Sequence, residues 1–164
     1  MGPRSIGDLC LQPYSALPFL SGKLSLDCRK MPGEASTNES VCVLDDDPSI
    51  LKAVNRLLAT EGIMVRGFSD PTDFLAFVQT RSVPVAILDV WMARMTGLEV
   101  QFKLTRISPH TQIIVMTGRG DPGVKQTATE MGAIAFFVKP FDDEEFISAV
   151  RTALRATRAG KSDL

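Results

Sequence analysis

The chain has 164 residues but only one histidine, one tryptophan and one tyrosine. A single histidine excludes zinc sites assembled from several, and makes any Ser-His-Asp hydrolase depend on His110 alone. The three cysteines, Cys10, Cys28 and Cys42, form no C-x-x-C pair, and an odd count suits a reduced compartment better than a disulfide scaffold. Neither sign of charge dominates: 18 Lys+Arg against 19 Asp+Glu leaves a net charge of −1. No basic surplus therefore points to nucleic acid or an anionic membrane. No run approaches the ~18 consecutive apolar residues of a membrane span. Asp8 and the prolines Pro3, Pro13 and Pro18 interrupt any signal-peptide core. At 45% hydrophobic and 23% charged residues the composition is ordinary globular usage. These exclusions point to one small domain in the cytoplasm.

Residues 1–40 differ from the rest, holding 4 of the 12 glycines, 4 of the 10 prolines and six serines. Their leucines and Phe19 keep no period of two or of 3.6, which predicts an irregular or disordered extension with at most a short helix near Leu17–Leu26. From Val41 the pattern becomes strand and helix in alternation. Val41–Leu44 is a short apolar run ending in Asp45-Asp46-Asp47. Pro48 opens a helix with the apolar stripe Ile50, Leu51, Val54, Leu57 and Leu58, closed by Gly62. Ile63–Phe68 reads as a strand, and Ser69 or Asp70 caps a helix begun at Pro71 with Phe74, Leu75 and Val78 inward. The same reading gives strand Val83–Leu88, helix Gly97–Ile107 with Leu98, Phe102 and Leu104 as core candidates, and strand Ile113–Met116. Helix Pro122–Met131, strand Ile134–Val138 and helix Asp142–Ala156 complete the series. Five nearly continuous apolar strands between five helices predict an α/β doubly wound parallel sheet buried on both faces. A domain over 41–157 and a tail over 158–164 are expected.

In such sheets the working crevice lies at the carboxyl ends of the strands, where strand order reverses. There the sequence places Asp45 and Asp46 after the first strand, Asp89 after the third, Thr117 after the fourth and Lys139 after the fifth. Asp47 is expected to be a solvated loop acid. Three carboxylates in one crevice repel, so either one keeps its proton or a cation neutralises them. Oxygen-only ligation suits a hard ion, and Mg²⁺ is the natural one where phosphate must also bind. Lys139 and Thr117 supply a mobile cation and a hydroxyl for phosphoryl oxygens.

The runs V-C-V-L-D-D-D-P, A-I-L-D-V-W-M-A-R-M-T-G-L-E, I-I-V-M-T-G-R-G-D and F-F-V-K-P-F resemble a bacterial two-component response-regulator receiver domain, in the style of nitrogen-fixation-type regulators. The resemblance covers about residues 41–157. It implies a flavodoxin-like sheet of order 2-1-3-4-5 and phosphorylation of Asp89 by a histidine kinase. It also implies a Mg²⁺ ion held by Asp45, Asp46, Asp89 and the backbone carbonyl of Trp91. Lys139 would pair with the acyl phosphate. Thr117 and Phe136 would move together, switching the face of the fourth helix, fifth strand and fifth helix used for homodimerisation or docking. Lys139-Pro140 resembles the family's cis peptide. On this reading the domain is a signalling phosphoacceptor in a phosphorelay and not a turnover enzyme.

Two positions depart from the usual pattern. Ala93 stands where proline is common, and Phe136 replaces the tyrosine of some relatives. Trp91, two residues after Asp89, and Arg119, two after Thr117, stand where side chains admit or block water, and Trp91 is expected to shield the acyl phosphate. Gly118–Gly123 spells G-x-G-x-x-G, yet it follows the fourth strand instead of opening a first βαβ unit, which argues against dinucleotide binding. A Mg²⁺-dependent phosphatase with an aspartate nucleophile is the enzyme alternative. Such families tend to carry a second acid where Trp91 stands. Seven residues follow Thr157, too few for a DNA-binding module within them. The domain is read as a stand-alone receiver or as the receiver half of a longer transcription regulator. No direct nucleic-acid contact by this chain and no membrane contact are expected, and His110 is expected to face solvent.

Overall fold

The computed structural model describes residues 40–160. The expected extension over 1–40 and the short helix near Leu17–Leu26 therefore lie almost wholly outside the described residues. Strand and helix alternate without interruption: β1 (Ser40–Leu44), α1 (Pro48–Thr60), β2 (Met64–Phe68), α2 (Pro71–Thr80), β3 (Val85–Asp89), α3 (Gly97–Ile107), β4 (Gln112–Thr117), α4 (Pro122–Glu130), β5 (Ala133–Val138) and α5 (Asp143–Ala159). All strand pairs are parallel and the sheet order is β2-β1-β3-β4-β5. The predicted doubly wound architecture and its strand order are both present.

Strand side chains alternate between faces, and here each face meets its own helical layer. Cys42 and Leu44 of β1, with Ala86 and Leu88 of β3, pack against Phe74, Val100, Leu104 and Ala128 of α2, α3 and α4. Val41, Val43, Val85 and Ile87 pack instead against Val54 and Leu58 of α1 and Phe146 and Val150 of α5. Residues 41–44 and 85–88 are all buried, as expected for central strands covered on both sides. The edge strands β2 and β5 are only half-buried.

Local chemistry sets the helix ends. Asp47, Asp70 and Asp121 each accept a backbone N–H two residues on, at 2.8, 2.7 and 2.8 Å, and each precedes a proline that opens its helix. Asp47 is thus exposed, as expected, but is the cap of α1 and not merely a solvated acid. Asp142 caps α5, leaving Asp143, Glu144 and Glu145 in the first turn, where the helix dipole favours acids. That helix runs three residues past the expected Ala156, which places Arg158 in its last turn. At the end of α1, Gly62 takes φ 71°, its N–H donates to Ala59 O, and Ile63 N–H donates to Leu58 O. This is a Schellman closure, so Ile63 belongs to the helix end and β2 starts at Met64. Phe102 is a second correction: it is 54% exposed, and α3 buries Gly97, Val100, Gln101 and Leu104.

Candidate functional site

Because every strand runs the same way, the last residues of β1, β3, β4 and β5 share one edge of the sheet. Order reverses between β1 and β3, and there Leu44 pairs with Leu88, bringing the residues just beyond them together. One oxygen from each of Asp45, Asp46 and Asp89 lies within 4.8 Å of the others. Asp45 and Asp89 are buried, 1% and 4% exposed, while Asp46 faces solvent. Lys139, just past β5, reaches across both strands. Its Nζ donates to Asp45 Oδ2 at 2.6 Å and to Asp89 Oδ1 at 2.8 Å. The peptide bond from Lys139 to Pro140 is cis.

The site's titration follows from this crowding. Burial lifts the Asp89 carboxyl above the ordinary carboxylate range, with the Lys139 hydrogen bond and charge pulling the other way and Asp45 adding to the lift. Burial alone would lower Lys139, but hydrogen bonds and charge from Asp45 and Asp89 outweigh it and hold the ammonium above its usual value. Two carboxylates on one ammonium, with Asp46 beside them, leave an oxygen-only set with carboxylates in excess, and Asp45, Asp46 and Asp89 could hold a hard divalent ion.

The loop after Asp89 is tied at several points. Trp91 N–H donates to Asp89 Oδ2 at 2.8 Å, and Ala93 N–H donates to Asp46 Oδ2 at 3.1 Å. Arg94 reaches Asp70 Oδ2 at 2.7 Å, on the carboxylate that caps α2. Thr96 and Glu99 form a reciprocal capping box at the start of α3. Gly97 then passes so close to Asp89 that a Cβ there would lie 2.1 Å from its carbonyl oxygen, and Gly97 N–H donates to Val90 O. The Arg94–Asp70 pair escaped sequence reasoning because no spacing rule joins two loops 24 residues apart. The T-x-x-E signal of the capping box was there to be read.

Thr117 sits at the same edge, fully buried, but its hydroxyl is engaged with its own loop. It accepts from Arg119 N–H and donates to Arg119 O, both at 3.1 Å. A backbone bond from Lys139 N–H to Thr117 O, 2.7 Å long, ties the fourth and fifth strand ends together. Phe136 is half-buried, opposite Val115 and against the core that contains Ala128. Trp91 is 46% exposed, and the Arg119 guanidinium lies 5.5 Å from the centre of its ring. So Asp45, Asp46, Asp89 and Lys139 converge directly, whereas Thr117, Phe136 and Trp91 flank them. The glycine-rich turn after β4 takes none of the positive φ angles found at Gly62 and Gly132.

The response regulator receiver domain profile matches residues 41–151. The chain belongs to the response regulator receiver family. Response regulator protein TmoT of Ectopseudomonas mendocina is 40% identical over 133 residues, covering 77% of this chain and 60% of its own length. Transcriptional regulatory protein FixJ of Azorhizobium caulinodans is 34% identical over 124 residues, 75% of this chain and 59% of its own. The resemblance to nitrogen-fixation-type regulators holds. The chain spans about 60% of the length of these curated relatives. Among solved structures, the beryllofluoride-activated NtrC4 receiver domain dimer shares 28% identity and a TM-score of 0.69, covering 73% of this chain and 98% of that one. As a receiver, the domain belongs to two-component signalling. No helix among the described residues is long and apolar enough to cross a membrane.

Proposed function

We propose that this receiver is a phosphoacceptor: a histidine kinase's phosphohistidine transfers its phosphoryl group to Asp89, and the change is read on the face of α4, β5 and α5. The observation that carries the reading is the bridge from one ammonium to two buried carboxylates, with a third acid beside them, at the β1/β3 crossing point. Such a site can neutralise a dianionic group and place a nucleophile against it.

Asp45, Asp46, Asp89 and the backbone carbonyl of Trp91 would hold one Mg²⁺. The donor chemistry fits, since all the ligating groups are oxygens and carboxylates outnumber the ammonium. When bound, the ion offsets charge between those carboxylates and the incoming phosphoryl oxygens. In the transfer an oxygen of Asp89 forms the new O–P bond while the P–N bond to the donor imidazole breaks. The imidazole departs with its electron pair, which takes a proton. Lys139, kept charged by its two carboxylate partners, pairs with a phosphoryl oxygen. Thr117 exchanges its Arg119 backbone contacts for a phosphoryl oxygen, and Phe136 moves into the space this vacates. The two packings form a switch that the phosphoryl group biases. Trp91, overlaid by Arg119, slows attack by water on the acyl phosphate.

The relatives' length, and the name of FixJ as a transcriptional regulatory protein, support reading this domain as the receiver portion of a longer transcription regulator, which we place in the cytoplasm. On that reading, phosphorylation promotes a homodimer through α4, β5 and α5, and this domain touches neither DNA nor membrane. The lone tryptophan is the probe. Mg²⁺ is expected to change Trp91 fluorescence at millimolar levels, beryllofluoride to change it again, and Asp89→Asn to abolish the second response. Steady turnover of small phosphate esters, with no stable label on Asp89, would contradict the proposal.

A further inference from the structure

α4 is the most lightly held helix around the sheet. It has nine residues, of which Ala128 alone is fully buried, with Val124 half-buried against the same core. Its C-terminal turn leaves a carbonyl over. Met131 N–H goes to Thr127 O and Gly132 N–H, at φ 91°, goes to Thr129 O, which passes over the carbonyl of Ala128. Helix ends commonly leave such carbonyls to be satisfied from outside. Here the donor comes from a neighbouring helix: Gln101 Nε2 of α3 reaches Ala128 O at 2.9 Å.

Gln101 is an unusual residue to find there. It is 0% exposed, on the face of α3 that otherwise buries Gly97, Val100 and Leu104. Its Oε1 is buried and has no hydrogen-bond partner among the described residues. A leucine would fill the space without that unmet acceptor. Burying an unsatisfied polar atom is costly, so packing does not account for glutamine at this position. An amide satisfied on one side only is also held less firmly than one satisfied on both, which suits a contact that has to be released.

We infer that Gln101 is a latch: its side-chain amide closes the C-terminal turn of α4 and holds that helix against α3 in the resting arrangement. The latch rests on the proposed phosphoryl switch only for its biological use, because it connects α3, whose first turn is packed on Asp89, to a helix of the output face. Displacing α4 breaks the bond. Because the bond is made only in the resting arrangement it biases the balance towards that state, and removing it by substitution shifts the balance towards the displaced one. Gln101 touches no reacting atom. It is a positioning residue.

Gln101→Met keeps length and approximate volume but loses the donor. Hydrogen exchange of the full chain is expected to show α4 amides, with Met131 and Gly132, exchanging about tenfold faster than wild type, while β1 and β3 amides keep their rates. The beryllofluoride concentration at half-response of Trp91 is expected to fall about two- to fivefold. A merely space-filling glutamine predicts no change in either readout, and unchanged α4 exchange overturns the latch. If the variant fails to fold, the wild-type Gln101 carboxamide protons decide. Slow exchange that becomes fast with beryllofluoride supports the latch, and fast exchange in the resting protein overturns it. A wild-type protein deaf to beryllofluoride would sink the phosphoacceptor reading, while the α4 exchange contrast would still judge the latch.

Discussion

α4 and α5 flank the same edge strand, yet they are held in different ways. α5 is seventeen residues long and buries Phe146, Val150, Ala153 and Leu154, with Phe146 also stacked on Phe141 at 4.5 Å. It begins with three acids in its first turn, and its Arg151 pairs with Glu61 at the end of α1. α4 fully buries one alanine, half-buries Val124 and is tied to α3 by a single amide. Fixed against movable is the lesson. An apolar face of several large side chains makes α5 part of the platform, whereas a helix with so little buried surface is repositioned at small cost.

The sharpest way to break this contrast is to truncate both sides. Phe146→Ala is expected to lower the unfolding free energy in urea by about 3–5 kcal/mol. Val124→Ala on α4 should cost less than about 1.5 kcal/mol, and equal losses would contradict the division. Next in size comes Gly97→Ala, whose Cβ has to displace the Asp89 carbonyl. It should cost about 1–3 kcal/mol and weaken Mg²⁺ binding at the same time, measured by Trp91 fluorescence. Trp91→Asn is expected to shorten the half-life of the phosphorylated protein severalfold, and an unchanged or longer half-life removes the shielding role.

The smallest effect is in pH. Because burial raises the Asp89 carboxyl, its linkage runs opposite to that of a salt-bridged acid with a lowered value. The unfolded chain ionises first, near the ordinary aspartate value of about 3.9, so stability falls as pH rises from there to the raised folded value and is flat above it. Asp89→Asn removes that loss. Without metal, the variant's advantage in urea midpoint should grow with pH across that window, and an advantage that shrinks would reverse the assignment.

Much of this was legible before any coordinates. Acids and a lysine directly after apolar strands locate a crevice because parallel strands share their carboxyl edge, so chain order put Asp45, Asp89 and Lys139 on one edge, and the strand order implied by the family resemblance put them together. Phe102 misled because its spacing from Leu98 is helical, while the stripe that turns inward, Gly97, Val100, Gln101 and Leu104, contains a glycine and an amide that hydrophobicity discounts. Ile63 looked like strand because it is apolar and buried, but its N–H completes the turn of α1. Asp47, standing before Pro48, carried a cap signal that its place in an acidic triplet concealed. The Arg94–Asp70 and Gln101–Ala128 contacts join distant segments, and only the fold brings such partners within reach.

The account's central claim is that the crowded acids at the β1/β3 crossing accept a phosphoryl group on one particular oxygen-bearing side chain. Incubating the whole chain with a phosphorylated kinase and Mg²⁺, trapping acyl phosphate by borohydride reduction and mapping the product by peptide mass spectrometry tests it most directly. The account predicts conversion at Asp89 alone, lost without Mg²⁺ and lost in Asp89→Asn. Conversion at Asp45 or Asp46 in the wild-type protein, or at Asp89 undiminished by chelation of the metal, would contradict it.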